Sequence, residues 1–391
     1  MVKTRKPSTL CVQGARSQTS GPVVVPIVQT STFVFEDQQH MLDSVQGKTG
    51  DHVYTRWSNP TTKSVEEKIS SLEGTEDTHV VASGMAAITS AVLGLVKGGE
   101  RILSSDSIYG GTLHFFNEIL PQNGIQVDYA DTNEVADRLS DSRGKYRLCF
   151  FETPTNPTLK IVDIKKVADA ARATGTISMI DSTFGSPINQ RPHLLGVDLV
   201  MHSATKYLGG HSDIIAGTIS GSKETVAKVR SAAKLLGGTM DPFASFLLDR
   251  GIKTLSVRME RHNSNAEFLA ERLSRDNRIK RVHYPGLPSH PQYDVARQQM
   301  DSFGGMLSVD LDTDLIGTRR FVDSLDIFLN AVSLGGVESL ASIPALTTHY
   351  GIPEGMLKEA GICNSTVRLS VGIEDAADLL DDLMTALDVV G

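Results

Sequence analysis

The sequence predicts an α/β fold, with a mostly parallel sheet flanked by helices and followed by a smaller C-terminal α+β unit. Three observations carry this. Short apolar runs alternate with helix-patterned segments from about residue 61, as in successive βα units. A long helical stretch around Gly251 ends the alternation, and the segments beyond it read as strands followed by helices. The first sixty residues are too rich in Pro, Gly, Ser and Thr to hold a long helix.

The elements follow in order. Residues 23–27 and 31–35 read as extended and 47–51 as a loop, so residues 1–60 are expected to be an arm lying on another surface. Apolar spacing predicts a helix over 65–72, a buried strand over 79–82 and a helix over 86–96. Strands are expected at 101–103, 125–129 and 147–151, then a helix at 164–173, then strands at 177–180, 198–201 and 214–219. One helical stretch is expected from Pro242 to about Leu273, with a domain boundary inside it. The domains are therefore 61–250 and 251–391. The second carries strands at 281–284, 306–311 and 367–371 and ends in an amphipathic helix over 376–387.

Composition narrows the function. The chain of 391 residues is 40% hydrophobic and 21% charged, ordinary for a globular protein large enough to bury a core without staples. A net charge of -8 and the lack of basic runs argue against nucleic acid or an anionic membrane as partner. No apolar stretch is long enough to span a bilayer, and the basic start lacks the apolar core of a signal peptide. Three scattered cysteines, Cys11, Cys149 and Cys363, imply no disulfide framework, which fits a cytoplasmic protein. Cys149 on its apolar run reads as core, and Cys363, near Arg368, as structural or as pocket wall. His202, His211, His283, His290 and His349 show no ligand spacing, so no metal is expected.

Four local features sit where an α/β fold places ligands, at strand ends. Val81-Ala82-Ser83-Gly84-Met85-Ala86 turns a strand into a helix, either as a plain N-cap or as a phosphate cradle of free N–H groups. Met179-Ile180-Asp181 ends an apolar strand in an acid, which either caps the next turn or faces a ring nitrogen. In Asp198-Leu199-Val200-Met201-His202-Ser203-Ala204-Thr205-Lys206, a buried strand delivers two hydroxyls and then an amine, followed by Gly209-Gly210. A desolvated amine there loses its proton more readily and can attack an aldehyde. Tyr109-Gly110-Gly111-Thr112 is either an ordinary turn or an aromatic raised to stack on a planar cofactor. Ser203 to Lys206 also fits the Ser-x-x-Lys of penicillin-binding enzymes. That reading needs Ser-Asp-Asn and Lys-Thr-Gly downstream; the former is absent and the latter, at 48–50, lies upstream.

Taken together, these segments resemble the Cys/Met-metabolism family of pyridoxal-phosphate (PLP) enzymes over nearly the whole chain. The resemblance also rests on Tyr54-Thr55-Arg56-Trp57-Ser58-Asn59-Pro60, Glu152-Thr153-Pro154-Thr155-Asn156-Pro157, Arg250-Gly251-Ile252-Lys253-Thr254-Leu255, Ser333-Leu334-Gly335-Gly336 and Val367-Arg368-Leu369-Ser370. It implies the fold type I of PLP-dependent transferases, with a mostly parallel seven-stranded sheet. It implies that Lys206 carries pyridoxal 5'-phosphate and shuttles protons, that Asp181 pairs with the ring nitrogen, and that Tyr109 stacks on the ring. Gly84, Met85, Ser203 and Thr205 would hold the phosphate. Tyr54 and Arg56, in the arm, would reach the cofactor of the neighbouring subunit in a homotetramer, Tyr54 also meeting substrate. Arg368 would clamp the α-carboxylate of a small amino-acid substrate, with Ser333, Asn156 and Glu338 as further substrate contacts.

The implied activity is a carbon–sulfur γ-lyase acting on cystathionine or methionine, or else γ-replacement on an O-acylated homoserine. The chain departs from the family at several points. Gly111 stands where methionine specialists carry cysteine, and His114 where cystathionine enzymes often carry arginine. Ser182 replaces a frequent Asn, and Trp57 beside Arg56 is unusual.

Overall fold

The computed structural model describes residues 5–14, 21–348, 350, 355 and 361–390. Expectations touching residues 1–4, Ala15, Arg16 and His349 lie outside the described residues.

Seven strands form the large sheet: β1 (Asp77–Val81), β2 (Arg101–Ser105), β3 (Gln126–Ala130), β4 (Leu148–Glu152), β5 (Ile177–Asp181), β6 (Leu199–His202) and β7 (Gly217–Gly221). Their spatial order is β1-β7-β6-β5-β4-β2-β3. Only β7 runs against its neighbours, so the sheet is mostly parallel as expected.

The continuous apolar runs arise because both faces are covered. Side chains alternate: Ile102, Phe150, Met179, Leu199 and Met201 pack under the helices Gly84–Leu95 and Lys223–Leu236. Leu103, Cys149, Phe151, Ile180 and Val200 meet Val135–Asp141 and Ile164–Thr174 on the other face. Cys149 is thus core, as read from the sequence.

A second sheet follows, built from β8 (Ile279–His283), β9 (Met306–Leu311), β10 (Leu329–Asn330), β11 (Leu340–Ser342) and β12 (Thr366–Ser370). Its order is β10-β11-β12-β9-β8. Its apolar face packs on the helices Leu255–Leu273 and Ala376–Asp388.

Two expectations need correction. The helix foreseen from Pro242 to Leu273 is two helices, Pro242–Lys253 and Leu255–Leu273. Thr254 breaks it because the Gly251 carbonyl is taken by the Thr254 hydroxyl (3.1 Å) and by Arg258 Nη2 (2.8 Å). A Cβ on Gly251 would also lie 2.3 Å from the Gly209 carbonyl oxygen, so only glycine lets this helix approach the loop after Lys206. The strand foreseen at 214–219 starts at Gly217, because the Ala216 N–H and carbonyl are bonded to the Thr205 hydroxyl at 3.0 and 3.2 Å.

Among their described residues, the first sixty hold two short helices, Pro7–Gln13 and Gln38–Val45, and irregular chain over 21–37. Cys11 is fully buried against the main body, whereas Val23 and Val34 stand out in solvent. Among the described residues, no helix is long and apolar enough to cross a membrane.

Candidate active site

Three parallel strands end together. Glu152 closes β4, Asp181 closes β5, and β6 runs out through His202 into Ser203-Ala204-Thr205-Lys206. Beyond these carboxyl ends lies a cavity of about 350 Å³. Gly84, Met85, Tyr109, Asn156, Asp181, Ser203, Thr205, Lys206, Ser333 and Arg368 all line it. Ten of the thirteen residues singled out from the sequence therefore meet in one place.

On one side, Ser83 caps the helix Gly84–Leu95, its hydroxyl accepting from the Ala86 N–H at 3.0 Å. Acidic residues are absent from this first turn, which leaves the helix start free to receive an anion. A Cβ on Gly84 would sit 3.0 Å from that of Ser203, so the bare glycine keeps the helix start and the hydroxyl loop close.

The acidic wall comes from sheet register. Glu152 and Asp181 are direct partners on adjacent strands. Asp181 Oδ1 accepts from the Thr183 N–H (2.9 Å) and hydroxyl (2.5 Å), while Oδ2 has no protein partner among the described residues. Burial raises the Asp181 carboxyl above the usual range, against the pull of Thr183, His202 and Lys206. A cationic hydrogen-bond donor would relieve that penalty. Glu152 is pushed further toward the neutral form by burial and by Asp181. It accepts from the backbone N–H groups of Tyr109 (2.9 Å) and Asn156 (3.1 Å), tying two functional loops to one side chain.

The Lys206 amine donates to the Ser333 hydroxyl at 2.6 Å. Burial first, and then the charge of Arg368, lower its pKa to about 8. Arg258 fixes this loop from behind, donating to the Tyr207 carbonyl at 2.8 Å. Ser333 has φ +86°, a strained conformation for a non-glycine residue and one that recurs at functional sites. Its carbonyl accepts from Arg368 Nη2 at 2.9 Å, and Asn156 Oδ1 accepts from Nη1 at 3.1 Å. Arg368 Nε is buried without an acceptor among the described residues. A guanidinium held by two neutral oxygens, with a donor to spare, is a receptor for a carboxylate.

The remaining three predicted residues lie elsewhere. Tyr54 and Arg56 are exposed and outside the cavity, with the Arg56 guanidinium 5.6 Å from the Tyr54 ring centre and donating to the Lys234 carbonyl at 2.6 Å. Glu338 accepts a short bond from the Ser212 hydroxyl and does not line the cavity. His114 is exposed and paired with Glu118 at 2.9 Å, away from the cavity. Lys234 Nζ lies 5.4 Å from the Trp57 ring centre, a cation–π contact that ties Trp57 to the helix Lys223–Leu236. Cys363 does not line the cavity either; it is exposed, with Asp310, Ser365 and Thr366 around its thiol.

Sequence reasoning assigned no role to Glu152 or Thr183, although both line the cavity. Glu152 carried a readable signal, an acid closing an apolar strand just as Asp181 does. Thr183 carried none, because its role depends on the turn after β5.

The donor set fits an aldehyde cofactor bearing a phosphate and a basic ring nitrogen. A helix start and the Ser203 hydroxyl suit the phosphate, with the Thr205 hydroxyl proton given to the Ala216 carbonyl instead. A buried acid suits the ring nitrogen, and an amine whose pKa burial lowers suits the aldehyde. Only the neutral amine attacks, so cofactor uptake by cofactor-free protein is expected to quicken about tenfold per pH unit, levelling off above pH 8. Stopped-flow absorbance between pH 6 and 9 checks this; a flat profile would show that amine ionisation does not limit uptake.

Known proteins resemble this chain over nearly its whole length. Residues 8–388 match the model of the Cys/Met metabolism PLP-dependent enzyme family. A cystathionine beta-lyase of Lactococcus lactis subsp. cremoris is 42% identical over 372 residues, covering 95% of each chain. An L-methionine gamma-lyase of Pseudomonas putida is 42% identical over 369 residues, 94% of this chain and 93% of that protein. The crystal structure of a cystathionine gamma synthase from Xanthomonas oryzae pv. oryzae superposes with a TM-score of 0.92 at 36% identity, covering 98% of both chains.

Proposed function

We propose that this chain, which belongs to the family of Cys/Met metabolism PLP-dependent enzymes, is a carbon–sulfur γ-lyase. It would convert cystathionine or methionine, with water, to 2-oxobutanoate, ammonia and a thiol. Pyridoxal 5'-phosphate is the family's cofactor and, when bound, supplies the electron sink for the pair left at Cα.

The protein's own groups do the rest. Arg368, steadied by Asn156 and the Ser333 carbonyl, holds the α-carboxylate and so fixes which bond at Cα faces Lys206. The Lys206 amine, its pKa lowered to about 8 chiefly by burial, takes the Cα proton and returns protons further along the side chain. Asp181 keeps a positive charge at the far end of the cavity, drawing electrons away from Cα. Tyr109 stands over the cavity mouth with its ring against Gly111, where a phenol can stack and pass a proton.

The observation that carries the γ-lyase reading is the character of the remaining wall. Phe184, Ile215, Val332 and Leu334 are apolar, and among the described lining residues Lys206 and Arg368 are the sole cations. The uncharged methyl thioether of methionine suits such a wall better than the distal ammonium and carboxylate of cystathionine. The likeness to a methionine gamma-lyase supports the same reading. The exposed Tyr54 and Arg56 support a homotetramer in which the arm completes a neighbour's site, and three free cysteines support a cytoplasmic setting.

Product analysis tests the reaction. Methionine or cystathionine alone should yield 2-oxobutanoate and ammonia. A product formed only when an O-acylated homoserine and a thiol are supplied together would instead mark a γ-replacement enzyme. The clamp has its own test. Arg368→Lys should raise KM for the amino acid about 10–100-fold with a smaller change in kcat, as expected for one lost charge-assisted hydrogen bond. An unchanged KM in steady-state kinetics would remove Arg368 from substrate binding.

A further inference from the structure

A second cavity, of about 420 Å³, lies between the edge strand β8 and the turn that follows Asn156. Its cations are Lys160, Lys280 and Arg281, and none of its described lining residues is acidic. That is unexpected in a chain of net charge -8. All five residues of β8, Ile279 to His283, border the cavity, because β8 is the edge strand of its sheet. The register of β8 against β9 also breaks between Ile279 and Arg281, as at a bulge. Lys280 pairs with Asp312 at 2.8 Å, whereas the charged ends of Lys160 and Arg281 have no protein acceptor among the described residues. His290 is buried and held neutral, its pKa lowered to about 4 by burial and by His283. Ser274, Ser289 and Gln292 add neutral polar groups to the wall.

We propose that this cavity binds a small phosphate monoester with a polar body, and that occupancy is felt at the active site. The Arg281 guanidinium and the Lys160 ammonium, the two cations without an acceptor among the described residues, match a doubly charged phosphate, and the volume suits a sugar-phosphate-sized molecule. The route to the active site is short. The Lys160 carbonyl accepts from the Thr155 N–H at 3.0 Å and the Lys160 N–H donates to the Thr155 hydroxyl at 3.1 Å. That closed turn contains Asn156, which holds Arg368. A ligand drawing on Lys160 therefore acts on the turn that steadies the clamp.

The test uses holoenzyme, so that the cofactor already fills the first phosphate cradle. Calorimetric titration with ribose 5-phosphate should show saturable binding, one per chain, in phosphate-free buffer. Arg281→Ala should weaken it about tenfold or more while leaving kcat and KM without ribose 5-phosphate unchanged. Saturating ribose 5-phosphate should shift KM for the amino acid in the natural protein but not in the variant. Absent binding, or binding indifferent to Arg281, would overturn the site. Equal affinity for citrate would overturn the phosphate assignment, and binding without a KM shift would overturn the coupling.

Discussion

Lys206→Ala is expected to reduce turnover by at least about 10³-fold, because proton transfer by one positioned side chain is alone worth about 10²–10⁴. Lys206 is the sole amine among the described residues of the cavity wall, so no neighbour can replace it. The loss would fall on kcat. Arg368, Asn156 and the Ser333 carbonyl stay in place, and substrate binding should survive. Removing the amine also releases the Ser333 hydroxyl, a minor change beside the lost chemistry. Kinetics and absorbance together check this: the variant should bind the cofactor reversibly, with the spectrum of the free aldehyde. Added methylamine should restore part of the activity, which separates a missing amine from a misfolded chain. Retention of more than a tenth of the turnover would remove Lys206 from the chemistry.

Asp181→Asn should cost about 10²–10³-fold in kcat and leave KM nearly unchanged. The amide keeps an oxygen for the Thr183 N–H and hydroxyl, so the turn after β5 should keep its shape. What disappears is the negative charge. In a buried cavity that charge interacts strongly with a cationic ring nitrogen, which no amide can hold protonated. Glu152 does not substitute, because both its oxygens already accept backbone N–H groups and burial holds it toward neutrality. Steady-state kinetics with circular dichroism as a fold control decides this. A variant with full turnover would show that the ring needs no anion here.

Much of this site was legible because its parts are local. The segment from Asp198 to Lys206 dictates strand, hydroxyls and amine in one run, and the turn at Ser83-Gly84 dictates its own helix start. Strand alternation was readable because a parallel sheet covered on both faces needs unbroken apolar runs. What was not legible depends on pairing across the chain. Arg368 and Asn156 are 212 residues apart, and only the resemblance brought them together before the structure did. Glu152 was passed over because its importance comes from lying in register with Asp181. The helix break at Thr254 escaped detection because it depends on Arg258 reaching back to a backbone carbonyl. The helix Lys223–Leu236 did carry its own signals, Ser222 as N-cap and Gly237 as left-handed stop, and was missed nonetheless.

The central claim is that one buried amine, Lys206, forms the covalent attachment to the cofactor. Reduction of holoenzyme with borohydride, followed by digestion and mass spectrometry, tests it most directly. The prediction is a stoichiometric pyridoxyl adduct on the peptide containing Lys206. An adduct on another lysine, or none at all, would contradict the account.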